Sequence, residues 1–204
     1  MASRSQQRDA TRERIVEAAA GAFAEKGFRG ASTRDIAQRA GANQGLITYH
    51  FRSKDELWRA AAGHIFGMLR TSLGARLAAL ESEEPRERVR EGIREYVRFT
   101  AAHPELFRLM VEEGKSAEER MQWLVDTHLQ PLYDGLVEGL VRFGESLGDG
   151  LAPALLPHAY YVLAGAASLI FAVAPECRRL TGLDPETARA VETHADFVAR
   201  MLVP

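Results

Sequence analysis

Apolar residues recur along this chain at helical spacing, and strand-like alternation is nearly absent. Ile15, Ala18, Ala19, Ala22 and Phe23 follow i, i+3, i+4, i+7, i+8, which sets them on one stripe of a helix. The pattern predicts a first helix over residues 9–26, stopped at Gly27. Ser32 and Thr33 are N-cap candidates for a short second helix ending near Gly41, with Asp35 as capping-box partner of Ser32. Asn43 should cap a third short helix reaching about Phe51. Ser53-Lys54-Asp55-Glu56 reads as a capping box that opens a long fourth helix towards Leu80.

Punctuation at Glu83-Glu84-Pro85 introduces a fifth helix with Ile93, Val97, Phe99 and Thr100 inward. His103-Pro104 breaks it, because the residue before a proline avoids helical geometry. Leu106, Phe107, Met110 and Val111 mark a sixth helix that ends near Gly114. A seventh is expected over residues 117–145 with a kink at Pro131, then a loop over 144–153. An apolar eighth covers residues 154–173, and a ninth covers 184–202 with Asp184 as N-cap and Pro185 in the first position. The sum is an all-α chain of about nine helices: an N-terminal three-helix unit with a helix-turn-helix, then a larger C-terminal helical domain.

Composition changes this picture little, but the distribution of charge changes it more. The 204 residues carry a formal net charge of only −2. Residues 1–60 hold 11 Lys/Arg against 7 Asp/Glu, while the remainder holds 15 against 21. A basic N-terminal third can meet phosphate without competition from an acidic remainder; chance asymmetry of a mixed surface is the competing reading. A single cysteine, Cys177, excludes an intramolecular disulfide and a multi-cysteine zinc site, and suits a reducing cytoplasm. The N-terminal residues lack the apolar core of a signal peptide. The longest apolar run, residues 159–174, falls short of the ~20 residues a bilayer needs, so a buried helix is expected and no membrane partner.

The segment 32–51 carries the chemistry. Ala37 and Ala40 let two helices cross closely and Gly41 makes the tight turn between them. With Ile36, Ile47 and Phe51 packed inward against Ile15, Ala19 and Phe23, the residues Asn43, Gln44, Gly45, Thr48, Tyr49 and His50 face outward. These are groups of the kind that reach phosphates and base edges, with few carboxylates to repel DNA.

From Thr11 to Ala60 the chain resembles the TetR family of DNA-binding regulators. The resemblance rests on Ile15-Val16-Glu17-Ala18-Ala19, on Phe23 with Gly27-Phe28, and on Thr33 through Gly41. It continues through Gly45, Tyr49-His50-Phe51 and Ser53-Lys54-Asp55-Glu56-Leu57. It implies a DNA-binding domain over residues 9–69 and a regulatory ligand-binding and dimerisation domain over 70–204. It further implies a third helix lying in the major groove and two subunits reading a near-palindromic operator. Carried onto these positions, Gln44, Gly45 and Thr48 face bases, while Thr33, Tyr49, His50 and Lys54 hold phosphates. Arg34 and Asn43 complete the candidate DNA-binding set. Thr48 stands where many members have tyrosine, which alters the expected operator contacts rather than DNA binding itself. Tyr49 as half-buried packing, His50 as a surface histidine bonding its own helix, and Lys54 as a solvated helix-start lysine are the competing readings. The arginines at 4, 8, 12 and 14 read as a solvated tail or as a minor-groove arm.

Beyond residue 70 the resemblance thins. Phe66, Tyr96, Phe99, Phe107, Met110, Trp123, Leu124, His128 and Tyr133 form the candidate lining of a pocket for a small, largely apolar effector; an ordinary core is the alternative. Leu155, Ala159, Val162, Ala166 and Leu169 of the eighth helix, with Val191, Val198 and Met201 of the ninth, are the candidate homodimer face. Burial within one monomer is the alternative there. The expected function is an allosteric, cytoplasmic transcriptional repressor of a double-stranded DNA operator, with no catalytic residues, metal or cofactor. The rival readings are a ligand-responsive regulator acting through protein contacts with a vestigial head, and an all-α enzyme.

Overall fold

A computed structural model describes residues 3–81, 83–115, 119–147 and 152–203. They are helical, with no strand among them. The first four helices are α1 (Arg4–Gly30), α2 (Thr33–Arg39), α3 (Gln44–His50) and α4 (Lys54–Ala78). Then follow α5 (Pro85–Ala102), α6 (Glu105–Glu113), α7 (Glu119–Leu124) and α8 (Gln130–Leu147), the last two joined by a π-helical turn at Val125–Leu129. A 3-10 turn at Pro153–Leu155 leads into α9 (Leu156–Ala172), followed by α10 (Ala174–Thr181) and α11 (Ala188–Leu202).

Eleven α-helical segments among the described residues stand against about nine expected, and each difference has a local cause. α1 begins at Arg4 because Ser3 and Gln6 form a reciprocal capping box ahead of it. Gly27 does break the helix, with φ 66° and ψ 173°, but the chain resumes one more turn to Gly30. Pro131 has no N–H to donate into the preceding turn, and the helix widens into the π turn just before it instead of kinking. The start expected at Ala117 lies outside the described residues, as does the stretch 148–151 of the expected loop. Pro175 opens the extra helix α10, over a stretch to which the sequence pattern assigned no element. Asp184 caps no helix: its Oδ1 accepts from the Glu186 backbone N–H at 3.2 Å in a turn. α11 starts later, where Thr187 Oγ1 accepts from Ala190 N at 3.3 Å. Val111, one of the apolar residues that mark α6, is exposed.

Two apolar cores hold these helices. One gathers Ile15, Ala19 and Phe23 of α1, Ile36 of α2, Ile47 of α3, and Phe51 with Leu57 and Trp58. It runs without a break through Ile65, Phe66 and Leu69 into Leu106, Leu109 and Leu124. The second joins α5, α9 and α11 through Ile93, Val97, Ala167, Phe171, Ala195 and Val198. With its leading 3-10 turn, α9 forms a 20-residue apolar stretch, Pro153–Ala172, long enough to cross a bilayer by length and composition. Length therefore does not decide its role; packing does. Its inner face (Ala164, Ala167, Ser168, Phe171) is buried, and Thr100 Oγ1 on α5 donates to the Ala167 carbonyl at 2.9 Å.

Candidate nucleic-acid interface and effector cavity

The turn between α2 and α3 is fixed by backbone chemistry. Gly41 adopts φ +59°, a conformation that costs an L-residue about 1–2 kcal/mol. Around it Ala42 N donates to the Ala37 carbonyl at 2.9 Å and Gly41 N to that of Gln38 at 3.2 Å, the paired bonds of a Schellman motif. Ser32 Oγ accepts from Asp35 N at 3.1 Å. The Asp35 carboxylate, expected to complete a capping box, instead pairs with Lys26 at 2.8 Å and Arg39 at 3.3 Å. Lys26 and Arg39 hold its pKa below the usual value, the hydrogen bond from Lys26 being the main cause. Asn43 Oδ1 caps α3 by accepting from Gly45 N at 2.8 Å.

So held, α3 buries only Ile47. Asn43, Gln44, Gly45, Thr48 and Tyr49 are exposed, Tyr49 by 69%, and His50 is half-buried. Thr33 is half-buried and Arg34 exposed at the start of α2, and Gln44 Nε2 reaches Thr33 Oγ1 at 3.4 Å. These groups form one surface, open to solvent. The sequence reading missed Leu46, exposed on the same face.

The N-terminal turns of α1 flank this surface: Ser5, Gln7, Arg8 and Thr11 border a shallow groove with Leu46, Tyr49 and His50 across it. Arg12 lies 5.2 Å over the Phe51 ring. Desolvation lowers the pKa of His50, helped by Arg12 and Arg8. The basic segment is thus a capped helix beside α3 rather than a loose tail.

Lys54 was expected to face outward at the start of α4. Its ammonium instead lies 4.8 Å over the Phe28 ring and donates weakly to the Arg29 carbonyl at 3.4 Å. Arg120 of α7 covers the same ring at 3.8 Å. Burial lowers the Lys54 pKa, and Arg120 adds to the effect.

In the C-terminal part, α4, α5, α6, α8 and α9 enclose a cavity of about 560 Å³. Of the candidate lining, the structure brings Phe66, Tyr96 and Met110 to it. The rest lies outside its wall. Leu124 is fully buried in the first core. Trp123 packs edge-on to Trp58 at 5.7 Å, and Phe99 tilts against His103 at 4.6 Å. His128 stacks on Phe66 at 5.0 Å behind the wall, and Tyr133 meets the lining residue Tyr160 edge-on at 5.5 Å. Phe107 is half-buried on α6 away from the wall. The wall is made instead by leucines: Leu69, Leu73 and Leu77 of α4, Leu129 of the π turn, and Leu132, Leu136 and Leu140 along α8. Their i, i+3/i+4, i+7 spacing was visible, but aromatics drew the sequence reading away from them. Burial pushes the Tyr160 hydroxyl up to about 12.

Of the candidate dimer face, Leu155, Val162, Leu169 and Met201 are about half exposed, and Ala159 and Ala166 are partly buried. Val198 is a correction: at 0% exposure it belongs to the second core and has no surface to offer a partner. Val191 likewise packs against that core. α11 turns Ala195, Val198 and Ala199 inward, so its outer apolar residues are Phe197 and Met201. Phe197, not Val198, is the apolar residue exposed there beside Met201. Tyr161, exposed by 74%, and Phe197 were missed.

Comparison with known proteins agrees with this geometry. Residues 15–61 match the family described as bacterial regulatory proteins, tetR family. The transcriptional repressor NicS of Pseudomonas putida is 26% identical over 164 residues, 79% of this chain and 76% of NicS. The regulator BetI of Yersinia pestis is 37% identical over 79 residues, 39% of this chain and 40% of BetI. Among solved structures, AibR in complex with isovaleryl coenzyme A and operator DNA superposes with a TM-score of 0.73 at 18% identity. That superposition covers 95% of this chain and 98% of AibR. A capped α2–α3 pair with an outward polar face, inside the matched segment, makes the chain a helix-turn-helix DNA-binding transcriptional regulator whose residues 15–61 are similar to the DNA-binding segment of the tetR family.

Proposed function

We propose that the chain is a cytoplasmic homodimeric repressor that grips a near-palindromic DNA operator and is released by a small effector bound between α4 and α9. The observation that carries this reading is the orientation of α3: one buried residue, Ile47, and a rigid polar face open to solvent. In this reading Gln44, Gly45 and Thr48 meet base edges, with the bare Gly45 backbone allowing close approach. Thr33, Arg34, Tyr49 and His50 meet phosphates, and Asn43 mainly caps α3. Lys54 reaches phosphate only by leaving its place over Phe28. An exposed apolar face over Leu155, Val162, Leu169, Phe197 and Met201 supports a two-fold bundle of α9 and α11 with their copies. AibR, which holds operator DNA and a coenzyme A thioester in one complex, supports a ligand site and a reading head working on one such fold.

Two helices link cavity to head. α4 starts at Lys54 and lines the cavity from Phe66 to Leu77. α8 lines the opposite wall and continues through the π turn into α7, whose Arg120 sits on Phe28 and pairs with the buried Glu113 at 3.2 Å. An effector that spreads α4 from α8 shifts both supports of Phe28 and Lys54, and it favours release only by binding the DNA-incompetent spacing more tightly. Selection from a random duplex pool tests this. The expected product is an inverted repeat with half-sites one turn apart, about 34–36 Å. Recovery of no repeated sequence overturns the reading.

A further inference from the structure

We propose that this cavity takes an amphipathic organic anion, with an unbranched aliphatic chain in its leucine-lined depth and an anionic oxygen head at Arg88. The proposal rests on the cavity being the effector site and names the chemistry of its occupant.

The cavity is long and has a polar end. Phe66 and Leu77 both line it, and eleven residues at 1.5 Å each span about 16 Å. α5 runs antiparallel to α4, with Glu95 bonded to Ser72 and Glu91 to Arg76. That register sets Tyr96 level with the middle of this span, opposite residue 71, and Arg88 beyond Leu77 at the outer end. Arg142, the last lining residue on α8, reaches the same end. An extended chain advancing about 1.25 Å per carbon fills that length with roughly twelve carbons.

Charge identifies the head. Three arginines and one carboxylate line the cavity: Arg70, Arg88, Arg142 and Glu138. Arg142 is paired with Glu138, and Arg70 Nη1 donates to His128 Nδ1 at 3.2 Å. The half-buried Arg88 guanidinium has no hydrogen bond or ion pair among the described residues. Of the carboxylates beside it on the chain, Glu87 and Glu91 pair with Arg94 at 2.8 and 2.6 Å, and the exposed Glu84, one turn back, makes no ion pair with it. A partly desolvated cation without a counter-ion favours an incoming anion.

Calorimetric titration of the full chain with dodecanoate, dodecyl phosphate, dodecanol and dodecylammonium, each below its micelle concentration, tests this. The two anions should bind one per chain, at least tenfold tighter than the alcohol or the amine. Their ranking tells a carboxylate head from a phosphate one. Arg88→Gln should weaken both anions about tenfold to a hundredfold and leave dodecanol unchanged, while Arg88→Lys keeps most of the affinity; thermal melts check that both variants fold. Equal binding of dodecanol and dodecanoate, equal losses for all four probes in R88Q, or no binding at all overturns the proposal. Arg88-dependent binding that leaves the operator complex intact upholds the ligand class and refutes the effector reading instead, so the two failures are distinguishable.

Discussion

Leu169→Glu tests the two-fold bundle without disturbing the monomer. Leu169 is 53% exposed on α9, on the side opposite the buried Ala164, Ala167 and Phe171. Full burial of such a side chain contributes about 1.5–3 kcal/mol, so covering the exposed half contributes roughly 1 kcal/mol per subunit. Because the interface is isologous, one substitution acts twice. Loss of about 2 kcal/mol of burial then combines with the cost of bringing two carboxylates into an apolar contact, at least ~1 kcal/mol each. The total of about 4 kcal/mol weakens dimerisation roughly a thousandfold. The same residue makes few contacts inside its own subunit, so the unfolding temperature of the dilute monomer should hold within a degree or two. Sedimentation equilibrium over a wide concentration range reads the dimer constant directly. A dimer constant within threefold of the parent chain's would show that α9 is not the interface. So would a large loss of monomer stability, since it would mean Leu169 is core.

Other expectations follow from local geometry. Gly41→Val should cost about 1–2 kcal/mol or more, because a β-branched residue is forced to φ +59° although nothing crowds the site; denaturant melts check this, and a neutral outcome would mean the turn relaxes. His128 is buried and Arg70 lies against it, so its pKa is lowered, mainly by desolvation. A histidine with depressed folded-state pKa gives stability that is complete above its unfolded value near 6.5 and declines as pH falls through the folded value. The melting temperature should therefore drop below about pH 6.5, before the carboxylates titrate. His50 shifts the same way, so His128→Phe should flatten part of that drop and no more than part; a profile unchanged by His128→Phe would count against the assignment. Asn43→Ala should destabilise by about 1 kcal/mol through loss of the α3 cap, and should loosen operator binding beyond that through a less ordered recognition helix; equal operator affinity would contradict the rigidity argued for α3.

What the sequence made legible was governed by short-range chemistry. Ser32, Asn43 and Ser53 announce three helix starts because a cap is satisfied within three residues. Gly41 announces the turn because few other residues adopt its φ. Where tertiary packing decides, the reading slipped. Val198 and Phe197 are adjacent apolar residues, and only contact with α5 and α9 tells which one is core. Asp184-Pro185 carries a helix-start signature, yet Asp184 spends its oxygen on a turn, aided by Arg178 at 2.9 Å. The cavity was placed in the right helices but assigned to aromatics, since nothing local distinguishes a leucine that packs on leucine from one that faces empty space. Lys54 looked like a free cation because its partners, the Phe28 ring and the Arg29 carbonyl, lie 26 and 25 positions away.

The central claim is that the outward face of α3 reads base pairs. Anisotropy titrations of Gln44→Ala and the parent chain against the selected operator and its single-base variants test it most directly. The expected result is a loss of about 1–3 kcal/mol with specificity relaxed at one symmetric position in each half-site, and an unchanged salt slope. Unaltered discrimination at every base pair, or a uniform loss with a shallower salt slope, would contradict it.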